Sequence, residues 1–175
     1  MRPTMALLVL LTIALVLSGT GATVETICKE ASYMDARVNY TFCVLELANS
    51  RWAPDADPWG LAKAAADVGI NNAYLAINDI EVLEAKPGID VKTREALGKC
   101  DPFYVSMKFA FARANDRINE RDYAAGKEEA AKAILLAHQC DDVFEKAAIV
   151  SPLTQRSIFS VRIAIVCTAI TNLIQ

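Results

Sequence analysis

Apolar residues recur at every third or fourth position along four long stretches of the chain, and this spacing restricts the possible folds more than any other feature. Such spacing places the side chains on one side of an α-helix, whereas a half-buried β-strand would need alternation at every second residue. No stretch alternates in that way over any length. Each stretch therefore predicts an amphipathic helix that buries one face against its neighbours. The four stripes are Ala66, Ile70, Ala73, Ile77 and Ile80; Leu97, Cys100, Tyr104, Met107, Phe111, Ala114 and Ile118; Ala130, Ala133, Ala137, Cys140, Phe144 and Ala147; and Phe159, Ile163, Val166, Ile170 and Leu173.

Short polar segments separate the four predicted helices. Asp57 and Pro58 supply an N-cap and a first-turn proline for the first long helix, and Asp90 caps the second after the break at 85–90. Two further breaks follow at 119–122 and 149–154. Connections this short favour antiparallel neighbours. We therefore expect an all-α fold, an up-down-up-down four-helix bundle.

The predicted domain organisation is simple. The bundle would occupy residues 57–175, and a short helical hairpin, turning near Asp35, would precede it at 23–50. Together these form one domain over 23–175, which is long enough to bury a single core.

The N-terminal 22 residues have the composition of a secretory signal peptide. A basic residue, Arg2, precedes an apolar run at 6–17, and small residues follow at 18–22. The run is shorter than the ~20 apolar residues that a membrane-spanning helix needs. We predict cleavage near residue 22, secretion of the remainder, and no membrane segment in the mature form.

An oxidising compartment favours disulfides among the five cysteines. If the connection at 119–122 is a tight turn, Cys100 and Cys140 lie at equal distances from it, roughly 30 Å along each helix. Cys28 and Cys43 are likewise symmetric about residues 35 and 36. The predicted bridges are therefore Cys28–Cys43 and Cys100–Cys140.

Two further residues of the secreted chain are notable. Cys167 remains unpaired beside the stripe of the last helix, so it is predicted to be a buried thiol, with intermolecular pairing as the alternative. Asn39, followed by Tyr40 and Thr41, fits the acceptor pattern for N-glycosylation, with an unmodified turn residue as the alternative.

Charge and residue types argue against several functional classes. The formal net charge is −3 and no basic run is present, which makes nucleic acid and anionic membranes poor partners. His138 is the only histidine, and no serine lies within reach of it along the same helix. The sequence therefore does not supply the residues for a catalytic triad, a zinc site or a phosphate-binding glycine loop. We expect no catalytic residue, metal or cofactor, and His138 as an ordinary residue or a pH-sensitive one.

Several segments together resemble the plant invertase and pectin methylesterase inhibitor family. They are the signal peptide, TICKEASYMDARVNYTFC at 26–43, RDYAAGKEEAAKAILLAHQCDDVFEK at 121–146, IVSPLT at 149–154, and RIAIVCTAITNLI at 162–174. The resemblance implies a helical hairpin followed by a four-helix bundle, with the first cysteine bonded to the second and the third to the fourth. This chain departs from the family pattern at Gln139, where threonine is common, and at Pro102. Either Pro102 kinks the second helix, or Asp101 caps a new helix that begins at Pro102.

The resemblance also implies a function. The chain would be a secreted protein that covers the active-site cleft of a cell-wall enzyme, with no chemistry of its own. The target would be pectin methylesterase in the apoplast, because a Pro-Lys-Phe stretch of some invertase inhibitors is absent here. The alternative is inhibition of a cell-wall or vacuolar acid invertase. The family's contacts with pectin methylesterase come mainly from the second and third bundle helices, which makes exposed polar residues candidates here: Asp116, Glu120, Asp122, Lys127 and Glu128.

A different class of function is a carrier of an apolar ligand inside the bundle. Such a carrier needs an open internal cavity. The alanine-rich third helix favours close helix approach and a filled core instead.

Overall fold

A computed structural model describes residues 23–50 and 57–174, and within these residues the regular secondary structure is entirely helical. The predicted signal peptide lies outside the described residues. Among the described residues, none of the helices is long and apolar enough to cross a membrane. The six helices are α1 (Val24–Met34), α2 (Tyr40–Ala48), α3 (Pro58–Glu84), α4 (Val91–Asn119), α5 (Tyr123–Lys146) and α6 (Thr154–Thr171).

Polar side chains define where most of the helices begin. Asp57 accepts a hydrogen bond from the main-chain N–H of Gly60 at 2.6 Å, and Asp90 accepts one from Thr93 at 3.0 Å. Both are the N-caps that the sequence predicts, and Pro58 is the first residue of α3. α6 begins after Leu153 without a side-chain cap.

The four long helices form a closed bundle in the predicted order. Each of α3, α4 and α5 packs against the next helix, and α6 packs back against α3. The α1–α2 hairpin lies outside this ring, on α6 and on α3. The rings of Phe42 in α2 and Phe159 in α6 meet edge to face at 5.1 Å between centroids. The all-α bundle with a preceding hairpin is thus confirmed.

The predicted stripes mostly form the core. Every stripe residue of α4 is buried, and so are those of α5 except Ala147, which caps the C-terminus of the helix. In α6 the two outer stripe residues, Phe159 and Leu173, are only partly buried. The end residues of these stripes have fewer neighbours because they lie near the ends of the bundle.

Three residues of the stripe predicted for α3, Ala66, Ala73 and Ile80, are buried, but the stripe as a whole is rotated slightly from the buried face. Ile70 and Ile77 are partly buried, whereas Gly69, Asn72 and Ala76 lie inside. The buried line consists of small residues because α4 approaches closely: a Cβ added at Gly69 would lie 2.5 Å from the Phe111 ring. Asn72 is tolerated inside because its Nδ2 donates to Ser160 Oγ at 2.8 Å and to the carbonyl of Arg156 at 3.0 Å.

The cysteines pair as the helix count predicts. Cys28 is bonded to Cys43 across the α1–α2 hairpin, and Cys100 is bonded to Cys140 across α4 and α5. Cys167 is a free, fully buried thiol on α6. Burial raises the pKa of the Cys167 thiol to about 12, so it stays protonated and unreactive.

Pro102 does not start a new helix. α4 runs from Val91 to Asn119 with Pro102 inside it, and Asp101 is itself helical. Proline has no N–H to donate to the carbonyl four residues earlier, and packing of the flanking turns keeps the helix continuous. Cys100 and Tyr104, on either side, are both buried.

Candidate functional site

The α4–α5 hairpin is the structural basis of the candidate surface. The Cys100–Cys140 bridge fixes which residues lie level with each other on the two helices. Nearer the turn, Arg113 Nε donates to Glu129 Oε2 at 2.9 Å, in nearly the same register. A covalent link and an ion pair therefore hold the two helices side by side.

Ion pairs occupy part of this outer surface. Glu129 contacts Arg113 of α4 and Lys132 one turn further along α5, the latter at 2.8 Å. Burial would raise the pKa of Glu129, but hydrogen bonds from Lys132 and Arg113 outweigh it and hold that pKa below its usual value. Glu129 is thus a charged, fixed centre of the surface at neutral and mildly acidic pH.

Two large apolar side chains, Phe109 and Leu135, are exposed on the same pair of helices. Phe109 is 52% exposed on α4, and Leu135 is 63% exposed on α5. In the register set by the disulfide, Leu135 is level with residue 105, so the two side chains lie about 6 Å apart along the helix axis. Apolar anchors beside ion pairs are typical of protein–protein interfaces.

Neither Phe109 nor Leu135 is among the contact residues predicted from the sequence, although the sequence carries a signal for both. Phe109 lies two positions before Phe111, and Leu135 lies two positions after Ala133. Two positions correspond to about 200° around a helix, so a large apolar residue there points away from the core. A large apolar residue off the buried stripe is therefore the pattern that marks such a surface.

The predicted contact residues all lie near the α4–α5 turn, but several make contacts within the chain. Glu120 accepts from Arg117 at 3.0 Å, and Asp122 caps α5 by accepting from the N–H of Ala125 at 3.2 Å. Asp116 is exposed on the last turn of α4. These residues belong to the turn end of the hairpin and in part stabilise it.

The remaining two predicted residues point in different directions. Lys127 donates to Asn172 Oδ1 at 2.7 Å, which turns it towards α6 and away from α4. Glu128 is exposed on the outer face, 3.5 Å from the Lys132 ammonium. The structure therefore brings Glu128 close to the ion pairs of the outer face and separates Lys127 from them.

Trp59 anchors the turn end of the hairpin to α3. Its indole N–H donates to the carbonyl of Ile118 at 3.0 Å, and the Lys63 ammonium lies 4.1 Å from the ring centroid. The Arg121 guanidinium approaches the same ring at 5.0 Å. The indole hydrogen bond and the Arg121 contact therefore hold the turn end of the hairpin against α3.

His138 does not form a triad. Its Nδ1 lies 4.0 Å from Asp141 Oδ2, and it is an exposed side chain. A serine does reach this region, against the prediction from α5 alone, because α6 supplies Ser157 across the helix interface. Ser157 Oγ donates to Asp141 Oδ2 at 2.5 Å. Ser157 is bonded to the carboxylate and not to the imidazole, so these three side chains do not have the serine–histidine–aspartate order of a triad.

Metal-binding residues are also not clustered in the part of the chain that the structure describes. No group of three or more His, Cys, Asp or Glu side chains there could hold a metal ion. Four of the five cysteines are in disulfides and the fifth is buried.

Comparison with known proteins identifies the family of the chain. The family model for plant invertase/pectin methylesterase inhibitors matches residues 22–170. Pectinesterase inhibitor 8 of Oryza sativa subsp. japonica is 51% identical over 160 residues, which cover 90% of this chain and 86% of the relative. Pectinesterase inhibitor 12 of the same plant is 39% identical over 180 residues, or 99% and 87% of the two chains. A Platanus acerifolia protein named "Putative invertase inhibitor" is 29% identical over 153 residues, or 86% and 84%. The chain therefore belongs to the plant invertase/pectin methylesterase inhibitor family, whose members are inhibitors and not enzymes.

Proposed function

We propose that the protein is secreted into the apoplast and inhibits a pectin methylesterase by covering its active-site cleft. The observation that carries this choice of target is the 51% identity to a pectinesterase inhibitor over 90% of the chain. The relative named for invertase is more distant, at 29% identity. The predicted signal peptide at 1–22 supports secretion, and the two disulfides suit an oxidising compartment.

We assign the contact to the outer surface of the α4–α5 hairpin. Phe109 and Leu135 are the apolar anchors, because burying an exposed aromatic or aliphatic side chain supplies most of the binding energy at an interface. Glu128, with Asp116 and Glu120 near the turn, forms the charged rim. Rim charges mainly change the association rate and its dependence on salt.

The decisive experiment measures inhibition of two enzymes. A plant pectin methylesterase and an acid invertase are each titrated near pH 5 with the mature, oxidised protein. Stoichiometric loss of esterase activity alone supports the proposal. Loss of invertase activity alone would establish the alternative target, which the family description includes, with the cell wall or the vacuole as its compartment. Full activity of both enzymes would refute an inhibitory function against either.

The contact surface is tested separately with three alanine variants. Phe109→Ala and Leu135→Ala should each weaken inhibition at least about tenfold, a loss of ~1.4 kcal/mol. Tyr74→Ala is the matched control, because Tyr74 is equally exposed but lies on α3. All three variants should keep their melting temperature, since none of the side chains is in the core. Unchanged inhibition by the first two would place the contact elsewhere.

An apolar-ligand carrier is less well supported by the structure. A groove of about 480 Å³ lies between α2, α3 and α6, and its lining is mixed: three charged residues, Glu46, Asp67 and Arg156, lie beside apolar ones, Ala64, Val68, Leu75 and Phe159. It lies beside the hairpin and not inside the bundle. Asp67 and Arg156 are bonded to Asn115 and Asp79, so an apolar ligand would have to pack beside these polar pairs.

A further inference from the structure

Asn39 lies in the turn between α1 and α2 with its amide nitrogen unoccupied. Its side-chain Oδ1 accepts from the N–H of Phe42 at 2.9 Å, which makes Asn39 the N-cap of α2. Its main-chain carbonyl accepts from the N–H of Cys43 at 3.0 Å. Among the described residues, Asn39 Nδ2 donates no hydrogen bond. The cap therefore uses the oxygen and leaves the nitrogen directed at solvent, where a new covalent bond would not disturb the helix.

An aromatic depression is lined in part by the residue that follows Asn39. Tyr40, the next residue, and Tyr33 of α1 line a shallow hollow of about 350 Å³ together with Lys29 and Ser32. Tyr33 is 78% exposed and Tyr40 is 42% exposed. The Lys29 ammonium lies 5.9 Å from the Tyr33 ring centroid. Rings with an apolar face and polar groups at the edge suit a pyranose ring, which has the same division into apolar and polar surfaces.

We propose that Asn39 carries an N-linked glycan whose first N-acetylglucosamine lies against the rings of Tyr40 and Tyr33. Thr41 supplies the hydroxyl residue that the acceptor pattern needs. The oligosaccharide comes from a lipid diphosphate donor. A bond forms between Asn39 Nδ2 and the sugar C1 as the C1–O bond to the diphosphate breaks, and the nitrogen loses one proton. The proposal rests on the proposed secretion, because the transfer takes place in the secretory pathway.

The position of the glycan leaves the proposed contact surface free. The α1–α2 hairpin packs on α6 and α3, whereas Phe109 and Leu135 lie on α4 and α5. A glycan at Asn39 is therefore carried on a different side of the bundle. Inhibition should be the same with and without it, so occupancy and inhibition are independent measurements.

The occupancy test uses the full chain, expressed with its leader in plant cells and collected from the medium. Wild type and Thr41→Ser should both lose mass on treatment with a plant-active peptide N-glycosidase. Thr41→Ala and Asn39→Asp should show the unmodified mass without treatment. Asn39→Asp is the sharper control, because its carboxylate keeps the cap of α2 while removing the acceptor nitrogen. A secreted wild-type protein with unmodified mass would overturn the proposal, even if its inhibitory activity were intact.

The position of the sugar is tested by hydroxyl-radical footprinting of the glycosylated wild type and of Asn39→Asp. Modification of Tyr33 and Tyr40 should be at least about twofold lower in the glycosylated protein, because the sugar shields both rings. Tyr74, exposed on α3, is the internal control and should react equally in both forms. Equal modification of Tyr33 and Tyr40 in the two forms would show that the glycan extends into solvent.

Discussion

The close approach of α3 and α4 is tested most directly by a substitution at Gly69, where the two helices are in contact. A Cβ built on Gly69 would lie 2.5 to 2.7 Å from three atoms of the Phe111 ring, well inside van der Waals contact. Phe111 is fully buried, so the ring has no free space to move into. Alanine at a mid-helix glycine would otherwise stabilise a helix by roughly 0.5–1 kcal/mol. Overpacking of a filled core costs about 1–3 kcal/mol. We therefore expect Gly69→Ala to lower the free energy of unfolding by about 1–2 kcal/mol.

Urea unfolding followed by circular dichroism measures this change, with Gly98→Ala as the matched control. Gly98 is also helical but exposed, and a Cβ there meets only the flexible end of Glu84, at 3.2 Å. Gly98→Ala should raise the free energy of unfolding by about 0.5–1 kcal/mol. The opposite signs separate the steric effect from helix propensity. Stabilisation by both substitutions would refute the proposed contact between Gly69 and Phe111.

A double-mutant cycle tests the same contact from the other side. Phe111→Ala alone should cost about 3–5 kcal/mol, because it leaves a cavity in the core. With the ring removed, alanine at position 69 should no longer be unfavourable. The double variant should therefore be more stable, by at least about 1 kcal/mol, than the sum of the two single effects predicts. Additive effects would mean that the two residues do not share the space.

Three further experiments test the core, a helix end and a disulfide. The Tyr104 hydroxyl is buried and has no hydrogen-bond partner among the described residues. Tyr104→Phe should therefore leave the free energy of unfolding unchanged or raise it by about 1 kcal/mol. A loss of more than about 1 kcal/mol would show that the hydroxyl has a partner. Ala148 has φ of 55° just after α5, so Ala148→Gly should stabilise the protein by roughly 1 kcal/mol in thermal unfolding. Ala147 has φ of −78°, so Ala147→Gly should destabilise it. The same sign at both positions would contradict the left-handed backbone at residue 148. Replacing Cys100 and Cys140 together with alanine opens a loop of 40 residues and should lower the free energy of unfolding by about 4 kcal/mol. Calorimetry would detect this as a fall in melting temperature of more than about 8 °C. A shift of under about two degrees would argue against a stabilising role for the bridge.

The polar groups that link α3 to α6 could not have been predicted from the sequence. Arg156 Nε bonds to Asp79 Oδ2 at 2.7 Å, and Asn72 bonds to Ser160, so residues about 80 positions apart meet. Neither pair has a local pattern, because hydrogen bonding between helices depends on the rotation of each helix about its axis. The same reason explains the missed contact of Asp141 with Ser157.

The sequence by itself determined the helices and the disulfide pairing. Periodicity, capping residues and short connections act within a few residues of one another, so they set where each helix begins and ends. Equal distances from a turn then place Cys100 level with Cys140, because two antiparallel helices rise at the same rate. The α1–α2 hairpin follows in the same way from Cys28 and Cys43.

Only the tertiary structure decided the rotation of α3 and the pairing of Arg113 with Glu129 across α4 and α5. The small residues of α3, among them Gly69, became its buried line because α4 places the large Phe111 ring against them. Each helix has a preferred face, but how far it turns depends on the volumes of the side chains that its neighbours present, and those volumes are brought together only by the fold.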